Sequence, residues 1–288
     1  MPELAAKPAE TGAAPDVTIR LGDTGEVAEP RYAGPVFQIG IDDYRLEVRN
    51  AARYRVRNGN EIIVAPFPGS SARNVRLFLL GTAFGALCQQ RRLLPLHASA
   101  IEVDGQCIAF AGLSGIGKST LAAFFQGRGY NVISDDICVV SLDAQGRPLA
   151  WPGIPRLKLW RDAAEALARD VSKLEIDHDG MEKYHFPTYH DASQAPLPLR
   201  RLYILHEAPL PALEQTTRLA GTNAFEALLA NTYRRNLLAP MAQTASHFAI
   251  CASLIKHIDI YSAGRHKGFD VFAAWAEKLE KNFLGDEP

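Results

Sequence analysis

The stretch from Pro95 to Val140, PLHASAIEVDGQCIAFAGLSGIGKSTLAAFFQGRGYNVISDDICVV, decides the fold. HASAIEV and QCIAFAG flank Asp104-Gly105, the dipeptide of a tight two-residue turn, so they predict a β-hairpin whose second strand runs into a glycine-rich loop. After the loop, STLAAFFQGRG predicts a helix stopped by Gly127 and Gly129, and YNVISDD predicts a strand ending in two carboxylates. A strand, a glycine loop, a helix and a second strand, in that order, make an α/β domain.

The loop itself, Gly112-Leu113-Ser114-Gly115-Ile116-Gly117-Lys118-Ser119, matches G-x-x-x-x-G-K-[ST] in full. Glycines let the backbone wrap an oligophosphate with its N–H groups turned inward, and the helix that follows adds the positive end of its dipole. By composition alone the pattern arises about once in a hundred chains of this length, and the strand before it and helix after it make it rarer still. The expected nucleotide ligands are Gly112, Ser114, Gly115, Ile116, Gly117, Lys118, Ser119 and Thr120. Lys118 would meet the β and γ oxygens and Ser119 would face Mg²⁺. Asp135 and Asp136, at the carboxyl end of the next strand, fall where phosphates and metal gather in such folds. One carboxylate there can hold Mg²⁺ through water and the other can take a proton from an attacking hydroxyl. His97, at the start of the hairpin, is ambiguous from its own residues: a core histidine or a member of the site.

Outward from this stretch the chain is that of an ordinary soluble protein. It has 288 residues with 31 Lys and Arg against 32 Asp and Glu, a balance that names neither nucleic acid nor an anionic membrane as partner. Cys88, Cys107, Cys138 and Cys251 lie too far apart for a metal or redox motif and read as reduced packing residues. The N-terminus lacks the pattern of a signal peptide and no apolar run is long enough to span a bilayer, so a cytoplasmic location is expected. Residues 1–30, rich in Ala, Pro, Glu and Gly, predict a flexible tail. Residues 31–92 predict a small β-rich module with one helix from about 72 to 91, and residues 93–288 a catalytic domain. In the module Arg45, Arg49, Arg53, Arg55 and Arg57 recur at alternating positions, either a surface for an acidic peptide or the solvated face of a half-buried sheet.

The quoted stretch resembles the catalytic domain of bacterial HPr kinase/phosphorylase, and more closely the looser group of HPr-kinase-like proteins that includes peptide-modifying kinases. The match covers His97, the loop from Gly112 to Ser119, and Asp135-Asp136; it is clear over about residues 93–160 and weak beyond. The resemblance implies a P-loop kinase domain of the HPr kinase and phosphoenolpyruvate carboxykinase type, using ATP and Mg²⁺. By residue it implies that Asp135 activates the acceptor hydroxyl, His97 assists it, Lys118 contacts the phosphates and Ser119 binds Mg²⁺; Asp136, from its place beside them, is read as the second metal ligand. Two departures stand out. Thr120 occupies a place where true HPr kinases carry Glu, and the segment from Pro152 to Trp160, PGIPRLKLW, replaces a metal-binding glutamate and its Arg-Gly-Leu-Gly stretch. Arg156 and Lys158, on one side of a predicted strand, would clamp a phosphate or a peptide carboxylate, or else face solvent. Lys183, in a loop reading Met181-Glu182-Lys183-Tyr184-His185-Phe186, is a further phosphate candidate, with Arg234, Arg235 and Arg265 behind it.

The expectation is an ATP- and Mg²⁺-dependent kinase for a serine hydroxyl of a protein or small peptide, for instance a lasso-type ribosomal peptide precursor. A small-molecule kinase and a non-catalytic ATP-sensing module are the alternatives. Nucleic acid and membrane are not expected partners, and a homo-oligomer is compatible with the resemblance.

Overall fold

The computed structural model of the chain describes residues 15–172, 174–176, 182–188, 195–208, 216–266 and 268–285. They divide into two compact units, one of residues up to 95 with 233–249, the other of 96–176, 182–232 and 250 onward.

The first unit is built on a sheet of β1 (Thr18–Leu21), β2 (Tyr32–Ala33), β3 (Phe37–Ile39), β4 (Asp43–Glu47), β5 (Ala52–Arg57) and β6 (Glu61–Pro66) in the order β1-β6-β5-β4-β3-β2. Along β5 burial alternates, with Ala52, Tyr54 and Val56 inward and the arginines between them outward, as the period of two requires. The inward side chains pack on Leu79, Ala83, Ala86 and Leu87 of a helical run made of α1 (Ala72–Phe78), a π-helical turn Leu79–Ala83 and α2 (Phe84–Gln90). Leu237 and Met241, from the segment 233–249, complete this core, so the module reaches beyond the 31–92 span read from the sequence.

The outward arginines are neutralised within the sheet. Arg55 holds Asp43 with both Nε and Nη2, at 2.9 and 2.6 Å, Arg53 holds Glu47 at 2.8 Å and Arg57 holds Glu61 at 2.9 Å. That is the solvated-face reading, since these cations already have carboxylates. The expected tail is corrected in part. Residues 1–14 lie outside the described residues, but Thr18–Leu21 pair in parallel with β6, and Val27 is buried with its N–H on Gln38 Oε1 at 2.9 Å. Nothing local predicts this order; hydrogen bonds to a strand forty residues away offset its entropy.

The second unit begins at Leu96, the last residue of the short strand β7 (Leu94–Leu96). β8 (Ala98–Val103) and β9 (Gln106–Gly112) form the predicted hairpin, with Asp104 and Gly105 at φ 49° and 74°, the left-handed pair of a type I′ turn. After α3 (Lys118–Gly127) come β10 (Asn131–Ser134), antiparallel to β8, then β11 (Cys138–Leu142) and β12 (Pro148–Trp151). Next are β13 (Arg156–Trp160), α4 (Arg161–Ala166) and β14 (Lys183–Pro187); β13 and β14 form a separate antiparallel pair. β15 (Leu197–Glu207) runs parallel to β9, and the chain continues through β16 (Thr216–Leu219), α5 (Gly221–Ala230), α6 (Thr244–His257), β17 (Asp259–Arg265) and α7 (Phe272–Leu284). A short 3₁₀ turn, Arg235–Leu237, follows α5.

The centre of this unit is the parallel trio β9, β15 and β17, whose carboxyl ends share one edge: Leu205 lies opposite Gly112 and Glu207 opposite Arg265. Phe110 of β9 stacks on Phe125 of α3 at 5.6 Å, and Phe125 meets Phe283 of α7 edge-on at 5.2 Å. Leu157, Leu159, Tyr184 and Phe186 of the β13–β14 pair extend the same core. All four cysteines are buried free thiols. Among the described residues no helix is long and apolar enough to cross a membrane. The fold is thus mixed α/β, with the glycine loop emerging at the carboxyl edge of parallel strands.

Candidate functional site

The loop leaves β9 at Gly112, whose φ of 147° and proximity to the facing strand exclude a side chain: a Cβ there would lie 2.6 Å from the Leu205 carbonyl oxygen. It enters α3 through Gly117, at φ 98°, where a Cβ would run into the guanidinium of Arg265. The loop borders a cleft of about 270 Å³ whose walls include His97, Ser114, Gly115, Gly117, Lys118, Ser119, Thr120, Asp136, Lys158, Trp160, Lys183 and Arg265. Helix α3 begins at Lys118, and the N–H groups of a helix's first turn have no partner within the helix, so they are donors for whatever the loop holds.

Lys118 is buried, and its Nζ donates to the carbonyl oxygens of Gly112 and Leu113 at 2.9 and 3.1 Å. Burial pulls its pKa from 10.5 down to about 8, against the opposing pull of Asp135 and Asp136. The ammonium is therefore poised over its own loop, close to the pH at which it would discharge.

The two adjacent carboxylates occupy different surroundings. Asp135 Oδ1 accepts from the hydroxyls of Ser99, at 2.6 Å, and Ser119, at 2.8 Å, while its Oδ2 accepts the backbone N–H of Lys158 at 2.8 Å. Asp136 has φ 73°, which turns its side chain away from that of its neighbour and into the cleft. There Lys158 Nζ donates to its Oδ2 at 3.2 Å, and His97 Nδ1 lies 3.6 Å from its Oδ1 and 3.0 Å from its backbone oxygen. Burial would raise the pKa of Asp136, but Lys158, Lys183 and His97 outweigh it and the net shift is downward. A carbonyl oxygen can only accept, so Nδ1 carries the hydrogen of the neutral His97 ring and Nε2 is its acceptor nitrogen. Burial, with Lys118 nearby, lowers the pKa of His97 against the pull of Asp136, which keeps the ring neutral at pH 7.

No family model and no curated protein matches the sequence. Among solved structures the chain is similar to the HPr(Ser) kinase/phosphatase from Coxiella burnetii, over 67% of this chain and 99% of that one, at 10% identity and a TM-score of 0.33. So loose a likeness assigns no residue a role, and the chemistry is read from the cleft.

The structure brings together most of the residues singled out in the sequence. His97, Ser114, Gly115, Gly117, Lys118, Ser119, Thr120, Asp136, Lys158 and Lys183 all line the cleft. Asp135 stands behind Ser119, Gly112 closes β9, and Ile116 packs partly into the core. Arg156 is not among the cleft residues: it lies in register with Pro187, whereas Lys158, two residues on, is buried at the carboxylates. The pair was read either as one clamp or as a solvent-facing side; Lys158 stands at the carboxylates and Arg156 lies off the cleft. Of the loop reading from Met181, that residue lies outside the described residues, and Lys183 opens β14 with its Nζ 5.9 Å from the Trp160 ring.

Ser99, Trp160 and Asp162 are residues of the site that the sequence did not single out. Ser99 was legible: it stands two residues after His97, and in a strand positions i and i+2 share a face. Trp160 and Asp162 were not, because they reach the cleft through the pairing of β13 with β14.

The residues fit a nucleotide-borne Mg²⁺ better than a protein-held one. Among the described residues no group of three or more His, Cys, Asp or Glu could cage a metal, whereas one hydroxyl and one carboxylate, Ser119 and Asp135, share a hydrogen bond beside the loop. Mg²⁺ in phosphate sites takes one or two carboxylates, water and the phosphates themselves.

Proposed function

We propose that the protein is a phosphotransferase that moves the γ-phosphoryl group of ATP, with Mg²⁺, to a hydroxyl acceptor. The observation that carries this reading is the separation of two carboxylates across one cleft: Asp135 bound to the loop hydroxyl of Ser119, Asp136 turned toward His97 and Lys158. A nucleotide sensor needs the first arrangement and has no use for the second.

Ser119 and Asp135 would hold Mg²⁺ on the triphosphate, where its charge would offset that of the phosphate oxygens. Lys118 and the N–H groups of the loop bind and orient the phosphates, and Lys118 has only to swing from two carbonyl oxygens of its own loop to do so. Asp136 is the better placed proton acceptor, because Asp135 already accepts three hydrogen bonds while the Asp136 side chain is 30% exposed and reachable by a hydroxyl from solution. The roles first read for the two residues are therefore exchanged. Lys158 keeps Asp136 ionised and oriented, and His97 fixes the backbone oxygen of the same residue. The acceptor we infer is a serine on a protein or small peptide, the class that the resemblance of the Pro95–Val140 stretch implies.

The test compares wild type with Asp136→Asn and Asp135→Asn for transfer of labelled γ-phosphate to serine peptides, and for ATP binding with and without Mg²⁺. Loss of a general base costs about a hundredfold or more in rate. Asp136→Asn should lose transfer to that extent and still bind ATP; Asp135→Asn should lose the Mg²⁺ enhancement of binding. Tight ATP binding by wild type with no transfer to any peptide or small alcohol would convert the reading to a sensor.

A further inference from the structure

Arg265 is the last residue of β17, on the edge where the glycine loop emerges, and only 8% of it is exposed. Its guanidinium lies over the rings of Phe272 and Trp275, at 5.2 and 5.8 Å, and Trp275 is itself fixed by a 2.8 Å bond from Nε1 to the Gly264 carbonyl oxygen. Its hydrogen bonds go to neutral backbone: Nη1 to Ile116 O at 2.9 Å, Nε to His266 O at 3.3 Å, and Nη2 to Gly268 O at a long 3.5 Å. Among the described residues no carboxylate stands within 4.0 Å of it. Arg55, the comparable half-hidden arginine of the other unit, holds Asp43 with two nitrogens, and Lys158 across the cleft holds Asp136. A buried cation without an anion is costly, and the cost is visible in a pKa that burial lowers, with only Glu207 opposing it.

Aromatic faces and carbonyl dipoles orient such a cation without neutralising it. None of the described residues supplies the missing charge, while the guanidinium lines the cleft and stands against Gly117, the last loop residue before α3. We infer that Arg265 is a phosphate-binding residue of this cleft, its guanidinium the counter-cation of an oligophosphate seated on the glycine loop. This rests on the reading of the cleft as a nucleotide site and adds to it a cation 147 residues away in sequence from Lys118. The alternative is a brace, an arginine whose work is the bond to Ile116 and the stack on two rings.

Two variants separate them. Arg265→Met keeps an unbranched apolar chain against Phe272 and Trp275 and removes the charge, whereas Arg265→Lys keeps the charge and removes the planar fork on which a brace depends. The probe is inorganic tripolyphosphate, which carries the charge of ATP without its base, measured by calorimetry with the melting temperature of ligand-free protein alongside. A charge-assisted contact corresponds to about ten- to a hundredfold in affinity. Arg265→Met should bind tripolyphosphate more weakly by that factor and depend less on salt, with its ligand-free melting temperature held or raised; Arg265→Lys should recover most of the affinity. Equal losses in both variants, or unchanged affinity in Arg265→Met, would leave a brace only. If wild type fails to bind tripolyphosphate, the nucleotide reading falls; if wild type binds it and Arg265→Met does too, only the inference about Arg265 falls.

Discussion

Lys118 gives the cleft a pH dependence that can be worked out before it is measured. In the ligand-free protein its pKa is about 8, held there by burial. A phosphate bound on the loop favours the charged form, so binding above pH 8 must first restore a proton. Affinity for an oligophosphate is then flat from pH 7 to 8 and falls about tenfold for each further pH unit, because one pKa unit corresponds to about 1.4 kcal/mol. The ligand's own last ionisation is common to wild type and to a variant without the ammonium, so it cancels in their difference. Stability moves the other way. A lysine whose folded pKa lies below its unfolded value of 10.5 leaves the unfolded chain with more protons, so its contribution to stability rises as pH goes from about 8 to 10.5. Calorimetric titration of tripolyphosphate and thermal melts, each run from pH 7 to 10 on wild type and Lys118→Met, isolate both slopes as differences. A wild-type slope no steeper than that of Lys118→Met would refute the placement of this ammonium over the loop.

Two further outcomes follow from the packing. Gly117→Ala forces a side chain into a position of φ 98° already filled by the Arg265 guanidinium, so it should abolish tripolyphosphate binding by calorimetry while circular dichroism shows the fold retained. Phe125→Ala empties the centre of a ring cluster shared by β9, α3 and α7, and should cost about 3–5 kcal/mol in denaturant unfolding, as aromatic truncations in cores do.

The parts of this fold that were legible in the sequence are those whose causes are local. The hairpin turn at Asp104-Gly105, the loop from Gly112 to Ser119 and the helix after it follow from residues a few positions apart, and the structure has them where they were read. What could not be read depends on partners distant in sequence. Residues 15–30 look like a tail because the strand that orders Thr18–Leu21 is β6. Alternation puts Arg156 and Lys158 on one side of β13, but it gives a side and not a neighbour; that the Lys158 ammonium meets Asp136 depends on how β13 lies against the end of β10. Arg265 is a candidate by its charge alone, as are Arg234 and Arg235; its reach to the loop from 149 positions beyond Ile116 follows from no spacing rule.

The separation of Asp135 from Asp136 has its own structural cause. In a continuing strand the two would point to opposite faces of the sheet, and only one could serve the cleft. β10 ends at Ser134, and Asp136 takes φ 73°, a left-handed conformation that costs a residue with a Cβ on the order of 1–2 kcal/mol and that Asp tolerates better than most. Lys158 offsets this strain from the facing strand: its N–H holds Asp135 and its Nζ holds Asp136, so one residue of β13 fixes both carboxylates in their separate directions. His97 completes the arrangement, since its Nδ1 bonds the backbone oxygen of the strained residue. The consequence is that two adjacent acids of like charge need not compete for one proton or one cation. One is saturated by hydroxyl and amide donors beside the loop, the other is ionised by cations in the cleft, and the strain at Asp136 is the structural condition for that division.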